Sequence, residues 1–345
     1  MQGCNLDRIL EIGHYAAGFC GRLFVQAGHE VVRVESQENT PGWVSTQASE
    51  LFLHPGKRRI QTRDPDIIAE LAEKADVVIA EAAKANELER LHFDQWNTSV
   101  KVSITPFGRT GPKCNWHATS NVLLAMGGYT NLMGDAGRAP LTLPGHFVDF
   151  ESGQYAYTAA SACRYARETN SIDVSMLETI MSLSQFTTIK WHCAGEIRSR
   201  HGSDFWTVPP SNLFSCKDGW LYVNIVPMFW DAFATFLDHP ELIIDERFLT
   251  NESRMANRDA LNEIIQKILS TMTREIIQQR AIKYRVPLGV VQTFDDILED
   301  AHLLERDYWQ QVESDDLDLV HSPALPFRLN KAPRKKHKLT RPEDV

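Results

Sequence analysis

Residues 8–35 constrain the fold more than any other stretch. Ile9-Leu10-Glu11-Ile12 is a short apolar-rich run, Gly13 to Gly18 turns the chain, and Phe19 to Ala27 reads as a helix. Gly28-His29 closes that helix before a β-branched run, Glu30-Val31-Val32-Arg33-Val34-Glu35. Strand, helix and strand in this span predict a right-handed βαβ unit, which commits the chain to a parallel sheet. The alternation continues with an amphipathic helix over Asp66–Lys74 and strands over Ala75–Ala80 and Ser99–Ile104. The class is therefore α/β: a large Rossmann-like domain with a parallel sheet.

The first turn rules out the obvious ligand for such a sheet. Its glycines are Gly13, Gly18 and Gly21, spaced G-x4-G-x2-G with bulky Tyr15 inside. A dinucleotide fingerprint needs G-x-G-x-x-G to bring the backbone onto a pyrophosphate. A nicotinamide dehydrogenase is therefore not expected, although Glu35 lies where a ribose-binding acid would.

The texture changes near residue 208. Leu213–Cys216, the turn Lys217-Asp218-Gly219 and Trp220–Ile225 spell a hairpin, and helices follow to about 282. The expected organisation is 1–207 as the first part of the large domain, 208–295 as a smaller α+β domain, and 296–345 as a return segment completing the large one. A chain of 345 residues accommodates two such domains.

Composition excludes several classes. The net charge of −9 argues against general nucleic-acid binding. No apolar run approaches the ~18 residues of a membrane span, and no secretory leader is expected from the N-terminus. Six scattered cysteines without a CxxC pair point to neither a metal cluster nor a disulfide framework, so a cytoplasmic protein without a metal site is expected. The stretch Arg328–Arg341 holds seven Lys or Arg and no acid. It reads as a solvated tail, a phosphate-facing strap or a contact with an acidic neighbouring subunit.

Asp149 is the candidate catalytic residue. An apolar approach, Gly145-His146-Phe147-Val148, ends in this carboxylate, Gly153 follows, and a helix-like run extends to Arg167. A carboxylate at a helix mouth feels the positive end of the dipole and can accept backbone N–H bonds. Both effects favour the ionised form that a nucleophile requires. An ordinary N-cap aspartate has the same appearance. Trp206, Phe229 and Trp230 invite an aromatic box for a quaternary ammonium group, or simply a core.

Several blocks, in order, resemble the class III coenzyme A-transferase family of the CaiB/BaiF type. They include Ile9–Glu35, Gly56-Lys57-Arg58, Leu88-Glu89-Arg90-Leu91, Ser103–Pro112, Ala125–Gly128, Asp149–Ala156, Ile172–Glu178, Lys217-Asp218-Gly219 and Val286–Thr293. The resemblance implies an interlocked homodimer that moves coenzyme A between an acyl-CoA donor and a small carboxylate acceptor, with no permanently bound cofactor. It implies catalysis by Asp149 through a mixed anhydride and an aspartyl-CoA thioester. It also implies coenzyme A contacts from His14, Tyr15, Ala16 and Ala17, where small residues let main-chain N–H groups approach a ligand, and from Lys57, Arg58 and Arg90. The chain departs from the family pattern at Ser36, at His54-Pro55 and over Glu81–Glu87, where relatives carry arginines and a nucleotide-binding turn. Those departures keep two alternatives open: a non-catalytic or partner-dependent homologue with weakened coenzyme A binding, and an α-methylacyl-CoA racemase. The racemase branch would need a histidine where Thr119 stands; His117 is two residues early.

Overall fold

The computed structural model describes residues 6–35, 46–205, 207–315, 317, 319–328 and 335–344, with the backbone alone at 185 and 186. Ser36 and Trp206 lie outside the described residues. Two compact units are present: 1–130, 142–197 and 301–345 form one, and 131–141 with 198–300 form the other.

The first unit is built on β1 (Arg8–Ile12), α1 (Tyr15–Ala27), β2 (Glu30–Glu35), α2 (Gln47–Leu53), β3 (Arg58–Gln61), α3 (Pro65–Glu73), β4 (Val77–Glu81), α4 (Ala85–Arg90) and β5 (Val100–Thr105). Next come α5 (Ser120–Met126), α6 (Tyr129–Leu132, which runs into the second unit), α7 (Phe147–Ala166), β6 (Asn170–Ser175), α8 (Met176–Ser182) and α9 (Gln185–Ala194).

The strands run β3-β2-β1-β4-β5-β6, all parallel. Alternation along them explains the layering. Ile9, Val77, Ile79, Val100, Val102 and Ile104 face one apolar layer with α1 and α7. Leu10, Val78 and Ala80 face another with Ile68, Ala72, Phe93 and Trp96. A strand that is apolar on both faces belongs to a sheet covered on both sides. The expected helix from Phe19 starts earlier, at Tyr15, and its end at Ala27 is closed by Gly28 at φ +102°.

The second unit holds β7 (Ser211–Cys216), β8 (Gly219–Asn224), α10 (Trp230–Phe236), α11 (Asn251–Ala256), α12 (Arg258–Leu269), α13 (Arg274–Tyr284), β9 (Leu288–Val290) and α14 (Phe294–Leu298). The hairpin pairs Cys216 with Gly219 around Lys217-Asp218, and β9 adds on the far side of β8. Trp230 is buried in this unit's core, with the Arg254 guanidinium 4.7 Å from its ring centroid. It is therefore a packing residue and not the wall of an ammonium box. The segment 131–141 joins this unit through Gly202 N–H donating to Gly134 O and through Arg200 donating to the carbonyls of Asn131 and Asp135.

The chain then returns to the first unit through α15 (Ala301–Glu305), β10 (Trp309–Glu313), β11 (Val320–Pro323), β12 (His337–Lys338) and β13 (Glu343–Asp344). The last of these pairs in parallel with β3, so the chain's end extends the sheet begun by its start. Two cations of the basic C-terminal stretch meet acids of the same unit: Lys338 with Asp315 at 2.9 Å and Arg328 with Asp307 at 3.6 Å. No helix among the described residues is long and apolar enough to cross a membrane.

One face of the sheet buries a ring of ionisable groups. Glu11 is fully buried in β1 and holds Arg33 at 2.5 Å and Lys57 at 2.6 Å. Arg33 reaches Glu35, Glu35 reaches Arg59, and Arg59 reaches Glu50. Glu50 lies 4.0 Å from His54, whose Nδ1 is 3.4 Å from Lys57. Burial pulls the Lys57 ammonium down to about 8 against the pull of Glu11. Burial, then Arg33 and Lys57, hold His54 well below its ordinary value and hence neutral at pH 7. Three carboxylates thus face three cations, the condition under which buried charge is tolerated.

Candidate active site

The strand order reverses between β1 and β4, and a cleft opens outside the carboxyl ends of these strands. Such switch points are where open α/β sheets bind ligands. His14 and Tyr15 enter it from the end of β1, Glu81 and Ala82 from the end of β4, Pro106 from β5 and Met176 from β6. The remaining wall comes from Ala118–Asn121 and from Gly145, His146 and Asp149.

Asp149 lies in the first turn of α7, which starts three residues earlier than an N-cap aspartate would require; the N-cap is His146. The donor on the Asp149 carboxylate is likewise a side chain and not a backbone N–H: Ser120 Oγ donates to Oδ2. His146 Nδ1 lies 3.4 Å from the same oxygen. Tyr15 stacks on the His146 ring at 3.6 Å between centroids and fixes its plane. Asp149 keeps 15% of its side chain exposed, enough to meet a ligand in the cleft.

Gly153, one turn further along α7, sets the approach of that helix to α1. A Cβ at this position would lie 2.4 Å from Ala16 O and 3.2 Å from Cys20 N. Only hydrogen fits, so the helix carrying Asp149 rests against the one that opens the cleft.

The second carboxylate of the cleft belongs to Glu81. Its Oε2 accepts N–H bonds from His14 at 3.0 Å and Ala17 at 2.8 Å, so it occupies the N-terminus of α1. Burial and then the Asp149 charge push its carboxyl up to about 7, against these two N–H donors and Arg33. Burial and then Arg33 pull the His14 imidazole down to about 4. Near neutral pH His14 is uncharged and Glu81 is close to half protonated. Glu151, the acid nearest Asp149 in sequence, does not line the cleft.

The expected coenzyme A contacts separate into groups. His14 and Tyr15 line the cleft. Ala16 and Ala17 do not: both are fully buried, and the Ala17 N–H expected to face a ligand is spent on Glu81. Lys57 is also fully buried, its ammonium committed to Glu11 and the Gly18 carbonyl. Arg58 is exposed and pairs with Glu343 at 3.1 Å, and Arg90 is exposed at the end of α4. His117 is exposed and outside the lining, whereas Thr119 is within it. Sequence reasoning missed Glu81 and Ser120. An acid closing a strand beside the switch point was a readable signal for Glu81; Ser120 offered none.

With this geometry established, similarity to known proteins is informative. Residues 7–343 match the model of CoA-transferase family III. The chain is 25% identical to the succinyl-CoA–D-citramalate CoA-transferase of Chloroflexus aurantiacus, over 94% of this chain and 87% of that protein. It is 26% identical to the succinyl-CoA:mesaconate CoA-transferase of Haloarcula hispanica, over 90% and 86% respectively. Among solved structures, a CAIB/BAIF family protein from Brucella suis superposes with a TM-score of 0.82 at 24% identity, covering 97% of this chain and 95% of that one. That last likeness establishes the fold.

Proposed function

The chain belongs to CoA-transferase family III, and on that premise we propose that it moves coenzyme A from an acyl-CoA donor to a carboxylate acceptor through covalent intermediates on Asp149. The observation that carries this reading is the division of labour on the carboxylate. Oδ2 is engaged by Ser120 and His146, while no donor among the described residues meets Oδ1. Oδ1 is the nucleophile.

Attack of Oδ1 on the thioester carbonyl forms a C–O bond, breaks the C–S bond and releases the coenzyme A thiolate, leaving a mixed anhydride. The thiolate then attacks Cγ of Asp149, the Cγ–Oδ1 bond breaks, and the donor acid departs with that oxygen. The aspartyl-CoA thioester that remains is attacked by the acceptor carboxylate, and the same steps run in reverse. Covalent catalysis in this form conserves the thioester's free energy across the exchange.

The lining carries no Lys or Arg. It suits the uncharged thioester end of an acyl-CoA, with His14 and Tyr15 beside it and Arg90 outside for the phosphates. The racemase alternative is disfavoured because Thr119, and not a histidine, lines the cleft at the position that branch requires, while His117 lies outside the lining. An inert homologue is disfavoured by the intact nucleophile and by Gly153 beneath it. The active species is proposed to be a homodimer, consistent with exposed apolar side chains on and after α9, such as Trp191 at 54% and Ile197 at 80%.

The test is trapping. Incubation with succinyl-CoA or acetyl-CoA, followed by hydroxylamine or borohydride, is expected to modify Asp149, as read by peptide mass spectrometry, and Asp149→Ala abolishes both modification and exchange. Absence of modification together with absence of CoA exchange across a panel of acyl-CoA donors and mono- and dicarboxylate acceptors would overturn the proposal.

A further inference from the structure

We infer that Ser120 is a second catalytic residue, whose hydroxyl stabilises the oxyanion that forms on Asp149 itself when coenzyme A is loaded onto the enzyme. The inference rests on the transferase reading above and goes beyond it, because that reading requires only a nucleophile.

Ser120 is the first residue of α5, and its Oγ–H points at Oδ2, the carboxylate oxygen that keeps its bond to Cγ throughout the cycle. The charge on that oxygen changes at each step. In the free carboxylate Oδ2 shares one negative charge with Oδ1. In the mixed anhydride it is a neutral carbonyl oxygen. When the thiolate sulfur attacks Cγ, the electron pair of the Cγ=Oδ2 bond moves onto Oδ2, which carries a full charge in the tetrahedral intermediate. That charge is lost again as the C=O bond re-forms and the Cγ–Oδ1 bond breaks. The same oxyanion forms again when the acceptor carboxylate attacks Cγ of the aspartyl-CoA thioester. A fixed donor on Oδ2 therefore interacts most strongly in the tetrahedral intermediates at Cγ, the condition for lowering a barrier and not merely holding a ground state.

His146 Nδ1 lies 3.4 Å from the same oxygen, with its ring held against Tyr15, and flanks this site. The arrangement crosses the fold. Ser120 and Asp149 stand 29 residues apart, on two different helices, and both face the cleft. The Ser120 hydroxyl makes no other side-chain bond among the described residues, so its side chain has no competing structural duty.

The experiment compares native enzyme, Ser120→Ala and Ser120→Thr at matched denaturation midpoints. Removing one oxyanion donor costs about 100-fold or more in kcat. The expected result for Ser120→Ala is a loss of that order with KM within about twofold. With acyl-CoA donor and no acceptor, the covalent population seen by intact-protein mass spectrometry is expected to shift from the CoA adduct to the acyl adduct, because loading stalls at the anhydride. Ser120→Thr, which keeps the hydroxyl, restores most of the rate. If Ser120→Ala exchanges CoA within threefold of native, or loses rate with no shift toward the acyl adduct, or if Thr restores nothing, the inference is overturned while the transferase reading stands. If native enzyme itself forms no adduct and exchanges no CoA, the underlying reading fails first, and this inference with it.

Discussion

Replacing Gly153 by alanine isolates the contact that places the Asp149 carboxylate, the proposed nucleophile. In an isolated helix this change stabilises by about 0.8–1 kcal/mol, because alanine has the better helix propensity. Here the new methyl carbon would stand 2.4 Å from Ala16 O, short of the 3.4 Å where ordinary contact begins by about 1 Å. The obstacle is backbone, which cannot rotate away. Over-packing of this kind costs roughly 1–3 kcal/mol, and a backbone clash belongs at the upper end of that range. After subtracting the propensity gain, a net loss of about 2 kcal/mol is expected, or roughly 4 °C in Tm at about 2 °C per kcal/mol for a chain of this size. If the helices part to relieve the clash, Asp149 moves with α7 by a distance of order 1 Å, and misplacement on that scale costs on the order of 100-fold in rate. The assay is urea denaturation and CoA exchange on the same preparations. Gly137→Ala, where an added methyl meets nothing within 4 Å, is the control and should change neither. A Gly153→Ala protein that is as stable as native or more so, and exchanges CoA at the native rate, would refute the close approach of the two helices.

Two further outcomes follow from the buried charges. Glu81, raised to about 7, binds its proton more tightly folded than unfolded, so its contribution to stability is complete below about 4.5 and lost as pH rises to 7. His14, depressed to about 4, has the opposite sign: stability falls as pH drops from 6.5 to 4. Glu81→Gln removes only the first effect, so the native-minus-variant difference in unfolding free energy should decline from pH 5 to 7 and level off above. A difference independent of pH would count against the raised carboxyl. Lys57→Met leaves Glu11 with Arg33 alone and should cost about 3–5 kcal/mol in urea denaturation, the range for breaking a buried pair, while kcat/KM per folded molecule is retained. A loss below 1 kcal/mol, or a kcat/KM collapse without one, would instead point to a ligand-facing lysine.

The sheet was legible in the sequence because its physics is local. Apolar, β-branched-rich runs at Ile9–Ile12, Val31–Glu35 and Val77–Ala80 read as strands whatever surrounds them. The segment around Asp149 fits a helix cap as well as a catalytic carboxylate, and only the order of many blocks favours the second; the fold places the residue in the cleft lining. What could not be read were the pairings that strand order creates. Glu81 meets His14 across 67 residues, and Ser120 meets Asp149 across 29. The resemblance of the Gly56-Lys57-Arg58 block makes Lys57 a coenzyme A contact, but its ammonium is buried on Glu11, 46 residues earlier, a pairing the local sequence does not show. Ala16 and Ala17 are small enough for a close approach to the backbone, and in the fold α7 at Gly153 and the Glu81 carboxylate make that approach.

The pairing of β13 with β3 bears on how the molecule is made. A ribosome delivers β1 to β6 long before residues 343–344, and the second unit, 198–300 with 131–141, is complete while the partner of β3 is still unsynthesised. Through most of translation the strand edge carrying Arg58–Gln61 therefore lacks its final neighbour, and an open parallel edge is a template for pairing with other chains. The nascent protein carries this open edge from the synthesis of β3 until β13 arrives to cover it.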